Sequence, residues 1–238
     1  MINEKIPKTD MPNAGAFVYE KTNEPFVDIV KYSEGAILAE MKYAEQGRTG
    51  AITVAYVRKR VAEMLMQAKK LLPAGYTFKI YDAWRPYAVQ KSLYDEYFNR
   101  LKEENPFFST EELHVFAKKF VSYPDKSGEY GYVHSTGGAV DLTVVAPNGR
   151  ELDMGTGFDD FSALALTASF EDSENETVKK NRRILYHAMQ KAGFTNYPNE
   201  WWHYDYGDCF YATLTGDKVK YSSVYLLKDV QNGGKSGG

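Results

Sequence analysis

Tyr132-Val133-His134-Ser135-Thr136-Gly137-Gly138-Ala139-Val140-Asp141-Leu142-Thr143-Val144-Val145 carries the clearest structural signal in this chain. Its second half, Ala139 to Val145, is mostly apolar and rich in β-branched residues, the pattern of a buried strand. Gly137 and Gly138 in front of that strand let the backbone turn sharply. His134 and Asp141 can therefore fold back onto one point, and a carboxylate carried by such a strand is held rigidly.

Outward from this stretch, Tyr76 to Tyr81 is rich in strand-favouring aromatic and β-branched residues and delivers Asp82-Ala83-Trp84-Arg85-Pro86. Pro86 cannot donate to a sheet ladder, so it ends that strand and leaves Arg85 at a carboxyl end, a place to face a cleft. Residues 52–72 carry apolar positions three or four apart with basic residues between them, which predicts an amphipathic helix stopped by Pro73-Ala74-Gly75. Further helices are expected over 88–104, over 110–121 behind a Ser109/Glu112 capping box, and over 176–192 with Gly193 as its stop. Trp201 to Tyr206 reads as an aromatic strand. There is no regular βαβ alternation and no internal repeat. The expected fold is α+β, a mainly antiparallel central sheet flanked by helices, as one domain over residues 1–231 with a flexible Gly-rich tail at 232–238.

Composition narrows the function. Lys plus Arg number 29 against 32 Asp plus Glu, so no basic surface calls for nucleic acid or an anionic membrane, and the expected partner is small. Cys209 is the sole cysteine; it rules out an intramolecular disulfide and a thiolate metal cluster, and reads as a small buried apolar group. The first residues lack the apolar run of a secretion signal and no stretch is long enough to span a bilayer, which gives a cytoplasmic expectation.

A second segment, Glu200-Trp201-Trp202-His203, completes a candidate metal site. Catalytic zinc usually takes three ligands from His, Asp or Glu and keeps a fourth position for water, while a further carboxylate handles the proton. His134, Asp141 and His203 fit the first role and Glu200 the second; other divalent ions suit the same ligands. Arg85 offers a permanent positive charge for an oxygen that turns negative when water attacks a carbonyl. Each residue also has an ordinary structural reading: a turn or cap for His134 and Asp141, an exposed acid on a turn for Glu200, a salt bridge with Asp82 for Arg85. His114 and His187 fall in predicted helices outside any glycine-bearing or acidic cluster and are read as surface or hydrogen-bonded core residues.

The pattern HxxGxAxD from His134 to Asp141, ExWH from Glu200 to His203, and the Asp82–Pro86 strand end together resemble the D-alanyl-D-alanine dipeptidases. This zinc D,D-dipeptidase family includes vancomycin-resistance enzymes and lies within the D,D-peptidase, hedgehog-like superfamily. The resemblance runs from about Tyr43 to Tyr204. It implies one zinc ion on His134, Asp141 and His203, Glu200 as catalytic base, and Arg85 as stabiliser of the tetrahedral intermediate. It further implies that Asp159, in Met154-Gly155-Thr156-Gly157-Phe158-Asp159, binds the substrate amine, helped by Tyr43 of Lys42-Tyr43-Ala44. The implied reaction is hydrolysis of a small dipeptide, D-Ala-D-Ala to two D-Ala, in peptidoglycan chemistry; the D stereochemistry comes from the resemblance alone. The alternatives are a zinc D,D-carboxypeptidase or L,D-type cell-wall peptidase, and a non-catalytic zinc-containing binding module. One position departs from the family: Tyr132 stands where a serine is usual, so a reshaped pocket is expected there, with Ser135 as a nearby hydroxyl.

Overall fold

The computed structural model describes residues 3–20, 22–118, 121–126 and 131–232. The strands are β1 (Phe26–Asp28), β2 (Leu38–Ala39), β3 (Tyr56–Arg58), β4 (Thr77–Asp82), β5 (Ala139–Val145), β6 (Thr195–Asn196) and β7 (His203–Asp205). The helices are α1 (Ile29–Tyr32), α2 (Lys42–Glu45), α3 (Lys59–Lys70), α4 (Tyr87–Glu104), α5 (Thr110–Ala117), α6 (Glu176–Lys191), α7 (Cys209–Thr215) and α8 (Leu227–Gln231). Five strands make the central sheet in the order β2-β4-β5-β7-β6, antiparallel except for the β2–β4 pair. The α+β expectation holds, with β1 and β3 forming a separate antiparallel pair.

Alternation along the strands divides the sheet into two faces. Phe78 and Ile80 on β4, Val140, Leu142 and Val144 on β5, and Tyr204 on β7 belong to one buried cluster with Val61, Met64, Leu65 and Ala68 of α3 and Leu185, Ala188 and Met189 of α6. Each large side chain buried there stabilises the fold by roughly 1.5–3 kcal/mol relative to exposure. The other residues of β5 and β7 point away from that core. The β4–β5 register shifts between Ile80 and Asp82, so that Asp82 lies opposite Asp141, and Asp141 in turn lies opposite His203. A bulge of this kind re-aims a strand end. Here it lines up three polar side chains across three strands.

Several predicted bounds move. The helix expected over 52–72 begins only at Lys59, because Tyr56–Arg58 pairs with Phe26–Asp28 as a strand. The 110–121 helix closes at Ala117, with its Ser109/Glu112 capping box formed; Lys119 and Phe120 lie outside the described residues. The strand expected at Trp201 starts at His203, Trp201 and Trp202 forming a turn before it. Residues 233–238 of the expected tail also lie outside the described residues. Among the described residues no helix is long and apolar enough to cross a membrane.

Candidate active site

Asp141 is the third residue of β5 and His203 the first of β7, directly across the ladder. His134 comes from a 3-10 turn, Val133–Thr136, that ends at Gly137 with φ +74. A side chain at Gly137 would be strained by that φ and would strike the Phe26 ring, at 2.2 Å from an ideal Cβ, so glycine is what permits the turn between the two candidate ligands. The three side chains are buried. Their candidate ligand atoms all lie within 4.8 Å of one another.

The outer nitrogens explain why this corner suits a cation. His134 Nδ1 is 2.8 Å from the Ala83 carbonyl, and His203 Nε2 is 2.8 Å from Asp205 Oδ1. Both partners are acceptors, so each of those nitrogens carries a proton, and in the neutral imidazole the inward nitrogen is the one left with a lone pair. His134 Nε2 and His203 Nδ1 then face one another at 3.3 Å, with Asp141 Oδ1 2.9 Å from His203 Nδ1. Two nitrogens and a carboxylate oxygen thus converge on one point. Burial alone would lower His203, but Asp205 and Asp141 on its two sides raise it well above the ordinary imidazole range, so a cation bound here would displace a proton from the inward nitrogen. Two nitrogens and a carboxylate are a donor set that zinc accepts in open catalytic sites, and the residues present fit such an ion.

Glu200 stands beside this corner, its Oε2 3.8 Å from His203 Nδ1, and borders the same pocket. Burial pushes its carboxyl up to about 8, with His203 opposing and Asp141 and Asp159 adding. Arg85 lies on the opposite side. Its Nε donates to Asp82 Oδ2 at 2.7 Å, Nη1 to Gln90 Oε1 at 2.8 Å and Nη2 to Asp141 Oδ2 at 3.4 Å. The Asp82 salt bridge expected as the ordinary reading of Arg85 is therefore present, and it aims the guanidinium into the pocket rather than away from it. Tyr43 packs under it, with the Arg85 guanidinium carbon 4.9 Å from the ring centre.

Tyr43 Oη donates to Asp159 Oδ1 at 3.3 Å. Asp159 holds φ +58, a left-handed backbone that few non-glycine residues adopt, and such strain concentrates at functional sites. Burial pushes its carboxyl up to about 7 against the pull of Arg85. All seven residues singled out from the sequence line one pocket of about 290 Å³.

Tyr132 also borders this pocket, but its phenol donates to the Arg85 carbonyl at 2.8 Å and so braces the arginine's backbone. Ser135 donates to Ser223 Oγ at 2.7 Å on the far side and does not substitute for the missing serine hydroxyl. His114 bonds Tyr94 Oη and His187 the Glu4 carbonyl, both away from the site. The Cys209 thiol is held protonated by burial. Two residues escaped the sequence reading. Asp205, behind His203, sits two positions along the same strand and hence on the same face, a signal the sequence does contain. Gln90, between Arg85 and the Ser122 carbonyl, has no comparable signal.

A model of the family described as D-ala-D-ala dipeptidase matches residues 42–220, a span that holds every residue of this pocket. The chain belongs to the D-Ala-D-Ala dipeptidase family. As a member of that family it is a metallopeptidase. A D-alanyl-D-alanine dipeptidase of Synechocystis is 27% identical over 183 residues, covering 70% of this chain and 74% of the relative. One from Enterococcus faecium is 33% identical over 151 residues, 60% of this chain and 69% of the relative. Among solved structures, a VanYB complex with D-alanine-D-alanine superposes with a TM-score of 0.43 at 18% identity, covering 69% of this chain and 81% of that one.

Proposed function

We propose that this member of the D-Ala-D-Ala dipeptidase family hydrolyses D-Ala-D-Ala to two D-Ala, with one zinc ion held by His134, Asp141 and His203. The observation that carries the reading is the convergence of three inward ligand atoms, the outer nitrogens of the two histidines both committed, beside a second carboxylate and a fixed arginine. Zinc bound there supplies a Lewis acid for the scissile carbonyl and lowers the pKa of water toward 7.

The chain's own residues do the rest. Glu200 takes the proton from the attacking water and passes it to the leaving amine, a role that needs hydrogen-bond reach to both. Arg85, already oriented by Asp82 and Gln90, donates to the carbonyl oxygen as it gains negative charge. Asp159, steadied by Tyr43, pairs with the free ammonium of the first residue. A substrate extended at its amino end has no ammonium at that point, which favours dipeptides over D-Ala-D-Ala-terminated chains.

The test is metal content together with free alanine released from D-Ala-D-Ala, L-Ala-L-Ala and a D-Ala-D-Ala-terminated pentapeptide. One zinc per chain and cleavage of D-Ala-D-Ala alone are expected. Cleavage of the pentapeptide alone would make the enzyme a carboxypeptidase.

A further inference from the structure

Arg182, on α6, is a buried cation that the proposed chemistry does not use. Among the described residues no carboxylate pairs with it. Instead its guanidinium donates to backbone carbonyls on both sides of Asp159: Nε to Met154 O at 2.8 Å, Nη2 to Leu164 O at 2.7 Å and Nη1 to Leu166 O at 2.6 Å. Nη1 also reaches Ser169 Oγ at 3.0 Å, and the group stacks over Phe170 at 4.7 Å. Burial lowers its pKa to about 10, so it remains charged at neutral pH. A planar fork of five donors can serve several carbonyls at once; an ammonium on a flexible stem cannot reproduce that geometry.

The bridged segment needs such a hold. Asp159 keeps its left-handed backbone inside it, and Gly155, at φ +82, is pressed so closely that a Cβ would lie 2.6 Å from Phe170. Trp201 Nε1 donates to Thr156 Oγ1 at 2.8 Å, and Trp201 N to Ala165 O, which ties the same segment to the turn that carries Glu200.

We propose that Arg182 is a positioning residue for substrate selection: by gripping both flanks of the Asp159 segment it fixes the carboxylate that recognises a free amino terminus. The inference rests on the reading of Asp159 as the amine's partner.

The experiment compares kcat/KM for D-Ala-D-Ala with that for propionyl-D-Ala, the same substrate without its amine. The wild-type preference is expected to be about 100-fold, the scale of a charge-assisted contact. Asp159→Asn should reduce it to near unity. Arg182→Lys should reduce it by about tenfold, through KM with kcat and bound metal largely kept. Ser169→Ala, which removes one of the Arg182 contacts together with the Ser169 Oγ bond to Leu164 O, should reduce it about twofold. A wild-type preference in both Arg182→Lys and Ser169→Ala would overturn the proposal; if Arg182→Lys does not fold, an unchanged preference in Ser169→Ala overturns it alone. An unchanged preference in Asp159→Asn would defeat the amine reading itself, and this proposal with it.

Discussion

His134, Asp141 and His203 sit on, or one tight turn away from, adjacent strands of the central sheet, whereas Asp159 projects from an irregular segment in a strained backbone. The first group inherits its geometry from a ladder whose other face is the main core. The second needs a dedicated brace, Arg182, and an aromatic neighbour, Tyr43. Bond-breaking requires groups fixed to within a fraction of an ångström, and strands supply that. Recognition of an ammonium tolerates a loop, provided the loop is tied down. The two regions should therefore fail differently when altered.

The largest effect is expected at the sheet-side chemistry. Glu200→Gln should lower kcat by about 1,000-fold, within the range of general acid–base catalysis, while zinc measured by metal analysis stays near one per chain. Retention of wild-type turnover would remove Glu200 from the base role. Arg85→Lys should cost about 100-fold in kcat, because an ammonium cannot keep the Asp82 and Gln90 contacts while also facing the oxyanion. An equal kcat with only KM raised would assign the arginine to ground-state binding instead.

A smaller change tests the layer behind the candidate ligands. Asp205→Asn can still accept from His203 Nε2 but no longer carries the charge that holds that tautomer. Zinc affinity, measured by competition with a chelator, should weaken by about 10- to 100-fold. The loop side should respond to pH. The Asp159 carboxyl is pushed up to about 7, so its anionic form prevails above that value and is lost below it. KM for D-Ala-D-Ala should therefore rise as pH falls through about 7, and this rise should be absent in Asp159→Asn. An identical KM profile in both proteins would separate the acid limb from Asp159.

Much of this division is written locally. The strand from Ala139 to Val145 has the bounds expected from its apolar run, because a fully buried strand leaves a continuous signature. The convergence of the candidate site residues was legible for the same reason: one turn and one strand hold His134 and Asp141, and one turn and one strand hold Glu200 and His203. The start of α3 was not. Ala55 and Val57 continue the helical spacing by coincidence, and the pairing that claims Tyr56–Arg58 for a strand lies some thirty residues upstream. Gln90 and Arg182 were illegible because their partners are backbone carbonyls or side chains brought close only by the fold. The bulge that sets Asp82 opposite Asp141 likewise leaves no mark in composition or spacing.

The most direct measurement is the steady-state kinetics of Asp159→Asn on D-Ala-D-Ala at pH 8, with kcat and KM resolved separately. Asparagine tolerates the left-handed backbone, so the substitution removes charge and little else. A KM raised by about 100-fold with kcat within a few-fold of wild type is the result expected if recognition resides on the loop and chemistry on the sheet. A fall in kcat with KM unchanged would contradict that division.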